Sequence, residues 1–219
     1  MNLQNILKNL PEVEKPIEKK LSFGVKAKWT LIILAAFFVL ANIPLYGLSN
    51  NALERFDNLA VILGTDFGSI ISLGIGPIVM ASIILQLLVG AKILAIDLTS
   101  PEGKRYFQGL QKLLVLFFIV FEASVYVLMR GLEAAPGYAG ILILQLCLGG
   151  LAIMYMDEIT SKWGFGSGVS LFIAAGVSWR LFTALFQFIG PQGGFEPSGR
   201  VLVFFSSIIG GNPTGAISA

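Results

Sequence analysis

Apolar residues run along this chain in long blocks rather than in alternation, and short charged or Gly/Pro-rich joints set the blocks apart. Trp29 to Leu48 holds no charged residue over 20 positions, about 30 Å as an α-helix and enough to cross a bilayer. Asn42 and Pro44 mark its far end. Leu110 to Met129 predicts a second full-length span, with Glu122 as its one acid. Tyr138 to Met156 predicts a third, stopped by Asp157 and Glu158, and Val169 to Phe188 a fourth, interrupted by Arg180. Ser69 to Gly90 is as apolar, yet Gly74, Gly76 and Pro77 fall where a continuous helix tolerates them least. Counted with the others as a broken segment, it makes five spans of an all-α membrane protein.

The remaining pieces are shorter. Leu3, Ile6, Leu7 and Leu10 recur at helical spacing up to Pro11 and predict an amphipathic surface helix. Pro11 to Lys28 mixes glutamates and lysines as a solvated lead-in, and the late start of the apolar run with no small-residue cleavage site argues against a signal peptide. Leu53 to Leu63 reaches roughly 16 Å as helix, half the hydrocarbon thickness, and reads as a half-helix. Val201 to Ile209 is an interfacial or packed piece, and Gly210 to Ala219 has turn chemistry. The division expected is a lead-in over 1–28, a five-span body over 29–189 and an external loop over 190–219.

Composition fits this pattern and narrows the chemistry. Of 219 residues, 55% are hydrophobic and 13% charged, and the mean hydropathy is +0.81, against roughly 25% charged residues in a soluble domain. A net charge of +2 without a dense basic run argues against direct nucleic-acid binding. Histidine is absent, which removes His-ligated metals and Ser-His or Cys-His nucleophiles. Cys147, the single cysteine, lies in an apolar run and reads as a small buried hydrophobe. No metal or cofactor is expected.

Charge also orients the chain. Lys8, Lys15, Lys19, Lys20, Lys26 and Lys28 precede the first span; Lys92, Lys104, Arg105 and Lys112 lie between the second and third; Lys162 lies between the fourth and fifth. Arg55, Arg130 and Arg200 fall on the other side. The positive-inside rule then makes the amino terminus cytoplasmic. An odd number of crossings means that a following copy of the unit would run inverted, as in inverted-repeat transport proteins.

The break in the second span can now be read. Unsatisfied backbone groups are costly in lipid and are tolerated beside a water-filled cavity or packed protein, so a half-helix, the stretch "GTDFGS" and a Gly/Pro-broken span point to a pore or binding site. Pro77 fits near a helix start. Just there Ile75 and Val79 stand four apart, on one helical face. Val169 and Ile173 repeat that spacing after Gly164, Gly166 and Gly168, a second flexible entrance. A ring of branched aliphatics around a water funnel would block ions by dewetting. Lipid-facing or core packing is the other reading of such pairs.

"LGIGPIVMASIILQLLVG" (Leu73 to Gly90), "PEGKRYFQGLQKLL" (Pro101 to Leu114) and "DEITSKWGFGSGVSLFIAAGV" (Asp157 to Val177), in this order, closely resemble the amino-terminal half of the SecY family, the channel subunit of the protein-conducting Sec translocon. The likeness is to its archaeal and eukaryotic branch. It implies one half of an inverted-repeat channel that conducts unfolded secretory polypeptide, releases membrane helices sideways into lipid and catalyses nothing. It matches Ile75, Val79, Val169 and Ile173 to pore-ring positions. It matches the region 53–68, with Phe56, Leu59, Ile62, Leu63, Asp66 and Phe67, to a plug outside the ring. The second and third spans match one wall of a lateral gate carrying Met80, Ile83, Gln86 and Glu122; Met80 stands where the family often has a polar residue. The implied partners are a second five-span half, a SecE-type clamp, a small beta-type subunit, a ribosome or other motor, nascent chains with their signal sequences, and the lipid bilayer. The implied location is multi-pass in the membrane, the cell membrane in a prokaryote.

Two other readings compete. A small-solute secondary transporter also uses broken helices, but it should place polar ligands at the break, where this chain has Ile75 and Val79. An intramembrane protease on Ser167 would need a lysine base deep inside a span, and the sequence places none there, Lys112 lying at the very start of its span. Glu122 and Arg180 are costly inside a bilayer by about 2.5 to 3.5 kcal/mol on insertion scales. Glu122 then lines the gate or hydrogen-bonds within the bundle, and Arg180 snorkels to the outer interface. No G-x-x-x-x-G-K-[ST] phosphate loop is present, so the energy for transport has to come from a partner.

Overall fold

The computed structural model describes residues 10–17, 21–51, 66–187 and 199–209. Helices dominate: α1 (Phe23–Ala41), α2 (Gly76–Gly90), α3 (Pro101–Leu128), α4 (Ala139–Trp163), α5 (Gly168–Phe186) and α6 (Arg200–Ile209). Between them lie two short strands, β1 (Leu48–Asn51) and β2 (Leu132–Ala134). Helices α1, α3, α4 and α5 are long and apolar enough to cross a membrane. At 15 residues, α2 spans only about 22 Å, and the rest of its segment is irregular. The amphipathic stripe through Leu3, Ile6 and Leu7 and the half-helix over 53–63 lie outside the described residues.

Several boundaries differ from the sequence expectation, each for a local reason. α1 starts before Trp29 and stops at Ala41, where Asn42 caps it, while Leu48 joins β1. β1 pairs antiparallel with β2, matching Leu48 with Ala134 and Asn51 with Leu132 around a bulge; strands this short carry no readable alternation. α3 begins at Pro101, well ahead of its apolar stretch, because Ser100 accepts the Gly103 N–H at 3.1 Å and Pro101 occupies the first turn. Asp97 steadies that start: its carboxylate accepts both the hydroxyl and the amide of Thr99, which holds its pKa below the ordinary aspartate value. Nor is α4 stopped by Asp157 and Glu158. It continues to Trp163 because Glu158 is neutralised in place, 2.7 Å from Lys162 one turn on and 2.8 Å from Lys112 of α3.

The break ahead of α2 is turn structure packed inside protein. Successive turn bonds run from Ser72, Gly74 and Gly76 amides to the Ser69, Ile71 and Leu73 carbonyls. Gly74 adopts φ +53°, a left-handed conformation that a branched residue would resist. Ser69, Ile71, Ser72, Leu73 and Ile75 are all at most 5% exposed. Their polar groups are satisfied: Ser72 Oγ donates to the Ser69 carbonyl and accepts the Gly68 amide, and Leu45 N–H bonds to the Gly68 carbonyl. Irregular backbone at membrane depth needs such cover. α4 supplies part of it: the bare Cα of Gly149 sits against the Ile70 carbonyl, with no space for a side chain.

Two apolar clusters hold residues 10–173 together. One gathers Ile33, Phe37, Ile71, Ile75, Ile119 and Phe172, with Phe37 and Phe172 stacked 5.0 Å apart. The other gathers Leu45, Leu73, Val127, Leu132, Leu142 and Leu146 under the β1–β2 pair. Cys147, partly buried, packs against both. Residues 174 onward form a separate compact unit. In it Phe182 and Phe186 pair at 5.2 Å, the Gly199 N–H bonds to the Gln187 carbonyl ahead of α6, and Arg180 is half-buried.

Candidate functional site

The break delivers Ile75 to the first turn of α2, where it is the capping residue and Pro77 follows at the start of the helix. Val79 stands one turn further along. On α5, Val169 and Ile173 occupy successive turns. All four join one apolar cluster: Ile75 lies within it at 1% exposure, and Val79, Val169 and Ile173 are half-buried at its margin. Both pairs read from sequence thus touch one apolar cluster.

The expected gate residues separate into two places. Met80 and Ile83 are 51% and 48% exposed and, with exposed Gln86, form one stripe along α2. Behind that stripe, Ser82 Oγ accepts from Gln111 of α3 at 2.7 Å. Glu122 of α3 is elsewhere. It is half-buried, with its carboxylate against the backbone of Gly76 at the amino end of α2, so close that a Cβ there would come 2.9 Å from Oε2. Of the plug positions, Phe56, Leu59, Ile62 and Leu63 lie outside the described residues. Asp66 is exposed, and the Phe67 ring meets Tyr126 of α3 edge-on at 6.4 Å.

Polar fastenings that the sequence did not reveal surround this region on its lysine-rich side. Pro11 to Glu14 packs against α3 at Lys112 and against the end of α4: Glu158 accepts the Val13 amide, Lys112 bonds to the Pro11 carbonyl, Lys162 to the Val13 carbonyl and Trp163 Nε1 to the Glu14 carbonyl. The loop into α5 is tied to its neighbours at three points. Phe165 N–H donates to Thr30 Oγ1, the Phe165 ring meets Phe23, and Asp157 of α4 accepts the Val169 amide at 3.0 Å. The only sequence signal for these contacts is the adjacency of Asp157 and Glu158 near an apolar end, which by itself resembles a helix stop. Among the described residues no three His, Cys, Asp or Glu side chains converge as a metal site.

Long apolar helices and one shorter helix reached through buried turns define a multi-pass α-helical membrane protein of the broken-span class. The family model for SecY matches residues 69–211, about two thirds of the chain, and the chain belongs to the SecY family. It is 53% identical over 197 residues to the protein translocase subunit SecY of Methanothermobacter thermautotrophicus, covering 89% of this chain and 43% of that protein. A solved structure described as a protein conducting channel superposes with TM-score 0.79 at 38% identity, over 97% of this chain and 47% of the other. A channel from a canine ribosome–channel complex of the endoplasmic reticulum gives the same TM-score and identity. The chain thus spans a little under half the length of the relatives it matches.

Proposed function

We propose that this chain forms the amino-terminal half of a protein-conducting channel that passes unfolded secretory polypeptides across the membrane and releases membrane helices sideways into lipid. The observation that supports the reading most is that Ile75, Val79, Val169 and Ile173 all join one apolar cluster beside a buried Gly/Pro break in a SecY-family chain. These aliphatic residues form part of a resting seal, residues 53–68 a plug over it, and α2 with α3 one wall of the lateral gate. The amino terminus is cytoplasmic, and the membrane is the cell membrane in a prokaryote. A transporter reading loses support, since the break presents aliphatic side chains and the relative in hand is a translocase subunit.

The rest of the channel comes from partners. A second five-span half supplies the opposite ring and gate wall, with SecE-type and small beta-type subunits around both. A ribosome or another motor drives transport, in keeping with the ribosome-bound state of one structural neighbour. The chain itself conducts and does not catalyse.

The test is a photo-crosslinker at position 75 in the assembled channel with a stalled secretory chain inside it. Capture of the nascent chain from position 75, and not from Leu144 on the exposed face of α4, is the expected result. Equal labelling at both positions, or none at 75, would sink the reading.

A further inference from the structure

The aliphatic pair on α5 is useful as a seal only if the start of that helix is held still, and the residue that holds it comes from another helix. Ser167 is in the ordinary N-cap position, where a side-chain oxygen normally takes an N–H of the second or third helical residue. Its Oγ only grazes the Ser170 amide, at 3.5 Å. The effective acceptor is Asp157, near the end of α4: Oδ1 takes the Val169 N–H at 3.0 Å, and the Gly168 amide also reaches the carboxylate. Gly168 allows this, because a Cβ at that position would fall 2.6 Å from the Asp157 Cα. Backbone of α5 and backbone of α4 are therefore in direct contact at the cap.

The bonded amide belongs to Val169 itself, and Ile173 follows one turn later on the same face. Val169 and Ile173 meet the cluster containing Ile75 only at its margin, so a small swing of the first turn of α5 would change the aperture they border. We infer that Asp157 is a positioning residue for the constriction, fixing through the Val169 amide how far Val169 and Ile173 reach toward Ile75 and Val79. The inference rests on the channel reading above.

Resting ion leak per assembled channel in planar bilayers tests it, using the complete channel with Asp157→Ala, Asp157→Ser and Asp157→Asn. Alanine removes the acceptor and serine leaves it too short, whereas asparagine keeps an Oδ1 at the same reach. The expected result is normal assembly throughout, a leak several-fold above wild type for alanine and serine, and return to near the wild-type value with asparagine. An unchanged leak in all variants would overturn the inference. So would failure of the alanine and serine channels to assemble, because the carboxylate would then hold the fold rather than the aperture. Val169→Gly and Ile173→Gly run alongside separate the two levels: if they leak while Asp157→Ala does not, only the positioning role fails, and if they too stay tight, the constriction reading fails with it.

Discussion

Lys112 Nζ lies 2.8 Å from Glu158 Oε2, and both side chains are largely enclosed, at 12% and 16% exposure. Lys162 approaches the other oxygen at 2.7 Å, and the Val13 amide shares it. One carboxylate thus joins α3, α4 and the lead-in. Removing one partner of an enclosed ion pair strands the other charges, which is worse than never having had the pair. Glu158→Ala is expected to destabilise the purified channel by about 2 to 4 kcal/mol, with a lower thermal midpoint and faster proteolysis near residue 13. A thermal midpoint within a degree of wild type would show that the hub is solvated and carries little.

Sealing is a separate property from this anchoring. Replacing Ile75 and Val79 together with glycine removes branched side chains from the proposed seal, so water should wet it and ions should follow. Resting conductance in planar bilayers is expected to rise at least several-fold, with translocation retained. Unchanged conductance in a normally assembled channel would assign both residues to packing alone.

Close packing around the break makes a sharper stability prediction. Gly149 faces the Ile70 carbonyl without room for a methyl group, so Gly149→Ala must separate α4 from the turns that carry Ile75. The cost expected is about 1 to 3 kcal/mol, the usual range for overpacking. Gly140, which has open space around it, is the control: Gly140→Ala should leave the thermal midpoint near wild type or raise it. Equal effects at the two positions would contradict the packing described.

How much of this was legible beforehand varies with the physics involved. Long apolar blocks gave the crossing helices because burial in lipid is a sum over many residues, and Pro77 marked a helix start because its ring and missing N–H act locally. Ile75 and Val169 stood out from matching i,i+4 patterns, and both touch one apolar cluster. Helix ends were harder: α3 extends back to Pro101 and α4 on to Trp163 because Ser100, Lys112 and Lys162 satisfy groups that look like stops in isolation. The roles of Asp157 and Glu158 depend on partners at Val169, Val13 and Lys112, and no one-dimensional pattern displays those. Glu122 was recognisable as costly, but its position against Gly76 is a fact of helix packing.

The turn before the break offers a test of plug movement. Asp66 is exposed and Phe67 rests on Tyr126, so displacement of residues 53–68 should lift Phe67 from that ring and change the surroundings of position 66. A cysteine replacing Asp66, with Cys147 changed to Ala, is expected to react with an impermeant thiol reagent at different rates in resting and substrate-trapped channels. Identical rates would argue that this segment stays in place during transport.

Glu122 offers a choice between two roles that a double-mutant cycle can separate. Its carboxyl group abuts Gly76 at the amino end of α2, close enough that a side chain there could not be added without moving it. Gly76→Ala would push that carboxylate aside, destabilising the channel in proportion to what the contact contributes. Removing the acid first, with Glu122→Ala, would leave less to lose. We expect the two substitutions to be non-additive by at least about 0.5 kcal/mol, the coupling typical of residues in contact, and the handling of signal sequences to change with each. Additive stability effects, with signal-sequence handling altered by Glu122→Ala alone, would instead mean that Glu122 meets the passing chain directly and that its approach to Gly76 is incidental.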